Sequence, residues 1–500
     1  MAELAQAAYG WWTFCLLTGQ DPESRRSFGL AVERLHMAPV MGRGGPAVQP
    51  PPHGLSTLLA IHANHLFSNA PYEQMAAEAR EAIRLGAASG DVEGETLGTY
   101  VLGRALQELE QQGDARAMWE RTIQLARAYQ PGFPDSELLH DAEWMAYIWL
   151  FGSSLFFEDY AGGRSCVVES LRIAQAMHKR RAELFSLASL AMIDFYMGDD
   201  VAAQRRYEQV IPLAHALDDR WAEMRVQREF SEVLRVQGRY GRAQTLLVAV
   251  VATARELGIL YEEILALAGL VRLSCQLGDT GGARIWHAQL VERMDGMGVT
   301  RDCEAEGLRA RAVYALCSGD YPQALADAEH AWQIAERVDI PNFRADSAVI
   351  LGHARAALNA PDAAAAYEQA VSLYLKIGNT PLASEPQAGL VGLALTRGDC
   401  VRAQTLVDAM LPVLAARARA RVLTPFYAYL ICYQALAANG DPRAGSVLYA
   451  ALRLLHAYAD DIADDALRRS FLENVATHRE LLRAGRGAAP GQATPEHFKV

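Results

Sequence analysis

The chain has 500 residues, 51% of them hydrophobic, and a formal net charge of −12. That composition can bury a large core and excludes a largely disordered chain, while the acidic balance argues against a basic duplex-binding face as the main function. The densest apolar run, Leu246 to Ala254, is far short of the roughly 18 residues that span a membrane, and the N-terminus has no basic region leading into an apolar stretch and cleavage site.

In chain order, residues 1–38 read as a first helical pair. Residues 39–54, PVMGRGGPAVQPPPHG, hold five prolines and four glycines and cannot be helix. Residues 55–178 read as irregular helical repeats that turn at Ser68 to Pro71, at Gly113-Asp114 and at Glu158 to Tyr160, with a further break at Gln130 to Asp135. Residues 179–458 read as regular repeats, residues 459–484 as a capping helix from about Asp464 to Ala484, and residues 485–500 as a disordered tail.

The regular part is organised as the stretch Cys303 to Val338 is. Leu308, Ala312, Ala315 and Leu316 form one buried helical stripe. Gly319 ends that helix, because glycine takes the left-handed conformation without steric penalty, and Asp320 caps the next. Equivalent turns fall at Gly198, Gly238, Gly278, Gly319, Asn359, Gly398 and Gly440, in steps of 40, 40, 41, 40, 39 and 42 residues. A small residue follows each by five places: Ala203, Ala243, Ala283, Ala324, Ala364, Ala403 and Gly445. It marks where the two helices of a hairpin cross closest. A fixed period of this kind predicts a solenoid of stacked helical hairpins.

These turns, with Leu351-Gly352 before Asn359 and the run Gly319-Asp320-Tyr321 with Ala324, resemble tetratricopeptide repeats, lengthened beyond the usual 34 residues or so. The long period resembles the sensor arm of MalT-type transcription regulators and related STAND signal-transduction ATPases. Ala7 to Trp12 with Arg25 and Arg26 is similar to the first helical pair of such arms, and Leu467 to Val475 with His478-Arg479 to the helix that closes them. The fold expected is all-α: a right-handed superhelical solenoid of about eleven hairpins of period about 40, with a C-terminal capping helix. The resemblance implies a non-catalytic, cytoplasmic protein- or effector-binding scaffold, the sensing arm of a signalling ATPase or transcription regulator. The alternative is an all-α enzyme using the concave groove as its active site.

Other constellations read as structure rather than chemistry. Asp460, Asp461, Asp464 and Asp465 imitate an Asp-rich metal motif, but the last two stand where the capping helix starts, the end of a helix dipole that acids favour. His62 and His65 lack a third ligand, and Gly42 to Gly45 lacks the Lys-Ser of a phosphate loop. His178 to Arg181 and Arg417, Arg419 and Arg421 are basic runs at helix ends. The seven cysteines, odd in number and scattered, read as reduced. No catalytic residue, cofactor or metal is expected, nor a direct nucleic-acid or membrane partner.

The candidate site comes from the resemblance, in which the first helix of each pair lines the concave side. Counting back thirteen, ten, six and three residues from the turns selects Arg225, Arg228, Glu232 and Arg235 before Gly238, and Arg272 before Gly278. It selects Glu306 and Arg309 before Gly319, and Asp346 and His353 before Asn359. Arginine favours forked contacts with carboxylate or phosphate, so the expected ligand is a protein or peptide segment, acidic in character, or a small anionic effector. The competing expectation is that these arginines pair with neighbouring acids.

Overall fold

The computed structural model describes residues 54–66, 72–109, 111–157, 159–295, 301–338, 341–378, 380–415 and 425–487. The expected first helical pair, most of the 39–54 loop, the Ser68 to Pro71 turn, Arg417 to Arg421, and the tail beyond residue 487 lie outside them. Among the described residues there are 22 α-helices and no strand. The chain divides into two units, residues 1–155 with 159–189 and residues 156–158 with 190–500.

The first unit holds α1 (Leu55–His65), α2 (Tyr72–Ser89), α3 (Val92–Glu108), α4 (Gln112–Tyr129), α5 (Glu137–Phe157), α6 (Tyr160–Ala176) and the start of α7 (Arg180–Tyr196). Its core is built on Leu58, Ile61, Met75, Leu97, Val101 and Trp119. Trp119 stacks on Trp149 at 5.6 Å, and Trp149 donates its indole N–H to the Tyr100 hydroxyl at 2.8 Å. Asp91 is buried and joins two helix starts: it accepts from Gly94 N at 3.2 Å to cap α3, and from Gly54 N and Ser56 Oγ at the head of α1. A carboxylate satisfied by several N–H and O–H donors is stable when buried. One expected turn is displaced. Gly113 and Asp114 lie inside the first turn of α4 rather than before it, because Gln111 is the capping residue and its N–H closes α3 on the Leu106 carbonyl at 2.9 Å.

The second unit continues α7 and adds α8 (Asp200–Ala216), α9 (Arg220–Val236), α10 (Tyr240–Leu257), α11 (Leu260–Gln276), α12 (Thr280–Met294) and α13 (Arg301–Ser318). It goes on with α14 (Tyr321–Val338), α15 (Pro341–Ala357), α16 (Ala363–Lys376), α17 (Ser384–Thr396), α18 (Cys400–Ala415), α19 (Pro425–Ala438), α20 (Arg443–Asp460), α21 (Asp465–Glu473) and α22 (Ala476–Gly487). From α9 to α20 odd and even helices pair as hairpins, and each of these hairpins packs on the next. All seven expected turn residues have positive φ, from 54° at Asn359 to 84° at Gly198. The following aspartate caps the second helix: Asp199 accepts from Ala202 N at 2.9 Å, Asp279 from Gly282 N at 2.9 Å and Asp399 from Arg402 N at 3.0 Å.

Of the small residues after the turns, Ala203, Ala243, Ala283, Ala324 and Ala403 are buried. Ala364 and Gly445 are only half-buried. In both hairpins a proline, Pro361 or Pro442, follows the turn and delays the helix start, so in the first of them Ala363 and Ala366 fill the crossing point instead. The turns between hairpins carry a second positive-φ series at His178, Asp218, Gly258 and Gly378.

The C-terminal end of this unit returns to its earlier hairpins. Tyr458 on α20 donates its hydroxyl to the Val236 carbonyl at 3.1 Å and packs edge-on against Tyr240. Ser470 Oγ on α21 donates to the Gly278 carbonyl at 2.7 Å, and Asn474 Nδ2 to the same oxygen at 3.3 Å. The closing segment is two helices, α21 and α22, where one was expected; the chain bends between them at Asn474-Val475.

Candidate functional site: a charge ladder on the first helices

The first helices of successive hairpins touch along the array: α9 against α11, α11 against α13, α13 against α15, and α15 against α17. On α9 the apolar stripe Ala222, Val226, Phe230, Val233 and Leu234 is buried. The spacing of Arg225, Arg228, Glu232 and Arg235 places these four on another stripe of the same helix. The same phase holds Arg272 on α11, Glu306 and Arg309 on α13, and Asp346 and His353 on α15.

These side chains form a ladder in which cation and anion alternate. Arg235 holds Glu232 through Nη2 at 2.9 Å and reaches Gln276 on α11 at 3.4 Å. Glu232 faces Arg272 at 3.7 Å. Arg272 is paired with Glu306, and Glu306 in turn with Arg309. Arg309 lies 3.6 Å from Asp346, lays its guanidinium over the Phe343 ring at 4.2 Å, and donates to the Phe343 carbonyl at 3.4 Å. Asp346 accepts the Tyr374 hydroxyl at 2.5 Å. The chain of contacts thus runs across four hairpins without a break.

Two branches lie beside it. Arg228 binds Glu262 at 2.5 Å and comes within 4.0 Å of Glu229, which Arg225 holds at 3.0 Å. His353 contacts the Tyr367 hydroxyl through Nδ1 at 2.8 Å and Glu385 on α17 through Nε2 at 3.0 Å. The structure therefore joins Glu232, Arg235, Arg272, Glu306 and Arg309 in one line, places Arg225 and Arg228 in an adjoining cluster, and holds His353 apart with its own partners. Each of the five arginines faces a carboxylate.

Burial sets the electrostatics. It would by itself lower Arg228, but the Glu262 and Glu229 carboxylates outweigh it and raise the guanidinium above its ordinary value. At Arg309 burial prevails and lowers the group, with Asp346 opposing and Arg272 adding to the effect. Burial and the Asp346 charge push the Tyr374 phenol well up, so it stays protonated and donates.

The residues counted back from Gly238, Gly278, Gly319 and Asn359 do not include Glu229, Glu262, Gln276 or Glu385; Glu385 stands thirteen before the next turn, Gly398. Glu262 and Glu385 stand in the first turns of α11 and α17; Glu229 falls between two counted positions of α9, and Gln276 lies one residue beyond the last counted position of α11. Glu262, Gln276 and Glu385 reach Arg228, Arg235 and His353 from the next hairpin, whereas Glu229 meets Arg225 within α9 itself. A cavity of about 260 Å³, lined by Leu390, Leu393, Ala394, Arg397, Asp399 and Arg402 with Ala364, contains none of the ladder residues.

The other constellations resolve as helix chemistry. Asp464 caps α21, accepting from Ala466 N at 2.8 Å and Leu467 N at 3.0 Å; Asp465 pairs with Arg468 and Asp461 with Arg239. His62 contacts Glu78 at 2.6 Å and His65 is buried. Lys179 binds Asp141 at 2.6 Å and Arg180 binds Glu183 at 3.0 Å. Among the described residues no cluster of three or more metal-ligating side chains occurs, and no helix is long and apolar enough to cross a membrane.

No protein-family model and no curated protein sequence matches the chain. Among solved structures it is similar to yeast Tom70, at 11% identity over 90% of this chain and 99% of that one, with a TM-score of 0.38. It is similar also to a Rap protein solved in complex with competence and sporulation factor, at 12% identity over 78% and 96% of the two chains and a TM-score of 0.38. A third is a signal-transduction ATPase with numerous domains and a tetratricopeptide repeat sensor from Pyrococcus horikoshii, at 13% identity, 71% of this chain, 52% of that one and a TM-score of 0.37. The repeat geometry of the chain itself, hairpins at a 40-residue step with left-handed turn residues and buried alanines at the crossings, is that of a tetratricopeptide-type α-solenoid.

Proposed function

We propose that this solenoid is a non-catalytic scaffold that binds a protein segment along the first-helix face of α9 to α17, and that it serves as the sensing arm of a signalling ATPase or transcription regulator. The observation that carries the reading is the ladder from Gln276 through Arg235, Glu232, Arg272, Glu306 and Arg309 to Asp346. It is a strip of alternating charge that crosses hairpins and is addressed by a chain laid across them. The sensing-arm reading follows the long period and the sequence resemblance.

Because each ladder arginine already faces a carboxylate, the strip has little uncompensated positive charge for a small anion to neutralise. A peptide carrying both amide and carboxylate groups can exchange with the pairs one at a time. The test is capture of partners on immobilised protein, followed by binding of the captured partner to the Arg272→Gln/Glu306→Gln double variant, whose helicity and melting are checked first. A loss of affinity of about tenfold with a reduced salt dependence is expected. Unchanged affinity on an intact fold would contradict the reading.

A further inference from the structure

Two thiols stand on the same first helices as the ladder. Cys275 lies at the end of α11, three residues and so about one helical turn past Arg272; Cys317 lies at the end of α13. The two helices pack directly on each other, and the two thiols lie close enough across that interface to perturb one another's ionisation. Cys317 is exposed and Cys275 half-buried, and neither is in a disulfide. We propose that Cys275 and Cys317 are a redox modification site: they form a reversible disulfide that joins neighbouring hairpins beside the charge ladder, with a low-molecular-weight disulfide such as oxidised glutathione as the electron acceptor.

The chemistry balances. The Cys317 thiolate attacks one sulfur of the oxidant, forming a mixed disulfide and releasing one reduced thiol. Cys275 then attacks Cys317 Sγ, the protein disulfide forms, and a second thiol leaves. The oxidant takes up two electrons, and the two protons given up by the cysteines end on the two released thiols. The geometry assigns these roles. The exposed thiol meets the oxidant first, and the half-buried one beside it resolves the adduct. The contact with Cys275 also lowers the Cys317 thiol from its ordinary value, while the same contact and burial raise Cys275. Elsewhere Cys303 and Cys432 are buried, and burial pushes the Cys432 thiol up to about 12, which leaves it unreactive.

The test uses the full wild-type chain, reduced and then equilibrated in buffers of increasing oxidised-to-reduced glutathione ratio, with remaining thiols alkylated. Oxidation should lower the intact mass by two hydrogens, and trypsin should release residues 273–284 joined to residues 312–337 while Cys166 and Cys400 remain alkylatable. Cys275→Ser should raise the glutathione adduct at Cys317 by about tenfold or more, since the resolving thiol is gone, and Cys317→Ser should leave Cys275 unmodified. A wild-type chain whose Cys317 stays alkylatable, or stays glutathionylated without the joined peptide, would overturn the proposal.

Discussion

Gly238 lies directly beneath the ring of Tyr458: a Cβ at Gly238 would stand 2.5 Å from the ring carbons. Gly238 has φ +79° and Gly319, in an equivalent turn, φ +80°, yet nothing lies within 4 Å of a Cβ at Gly319. The two glycines share a backbone requirement, and only the first also bears the C-terminal segment. The closure at α9/α10 and α11/α12 is therefore a contact of specific residues.

This pair gives a controlled comparison. Gly319→Ala should cost about 1 kcal/mol, the strain of placing an L-residue in the left-handed region. Gly238→Ala carries that strain and must also displace Tyr458 and break its hydrogen bond to Val236, for a total of about 2–4 kcal/mol. Urea unfolding of the two variants measures the difference, and equal losses would mean the C-terminal contact contributes nothing.

The closing helices should also respond to acid through His478. It is buried against Phe426 and Phe471, its ring centroid 4.7 Å and 4.3 Å from theirs, with Nδ1 donating to the Phe471 carbonyl at 2.7 Å. Burial holds its pKa down at about 4. An unfolded histidine titrates near 6.5, so between those values the unfolded chain binds a proton that the folded chain does not. The contribution is complete above pH 6.5 or so and is lost as the pH falls towards 4, amounting to at most about 3 kcal/mol. Unfolding free energies at pH 7 and pH 5 should differ less in His478→Gln than in the wild type; identical differences would show that His478 does not titrate in this window.

At the hairpin crossings volume is the constraint. Ala324 is fully buried among Ala312, Ala315, Ala328, Leu351 and Ala354. Ala324→Trp should force α13 and α14 apart and destabilise the protein by about 1–3 kcal/mol. A melting curve unchanged from the wild type would mean that the helices do not cross there.

The hairpins were legible in the sequence because they rest on local rules: a left-handed glycine, an aspartate cap and an alanine at a fixed offset. The rule slipped where a second local signal intervened, as at Pro361 and Pro442. The turns at His178 and Asp218 gave no signal, since the backbone there is set by packing and the residues are not glycine. Counting from the turns assigned Arg272, Glu306 and Arg309 to one helical phase, and the structure pairs them. Glu262, which holds Arg228, and Glu385, which holds His353, reach across from the next hairpin, and that meeting depends on how hairpins stack, which no single repeat encodes. The meeting of Tyr458 with Gly238, with Tyr458 and Val236 222 positions apart in the sequence, depends on rotation accumulated over five hairpins and leaves no local pattern.

The central claim is that partners bind on the first-helix face. Tyr261 on α11 is 40% exposed and stands eleven residues, about three turns, before Arg272 on the same face. Val248 on the second helix α10 is 41% exposed and serves as the control. A photoreactive benzoylphenylalanine placed at each position in turn, irradiated with a captured partner, should cross-link from position 261 and not from 248. Cross-linking from 248 with none from 261 would contradict the account.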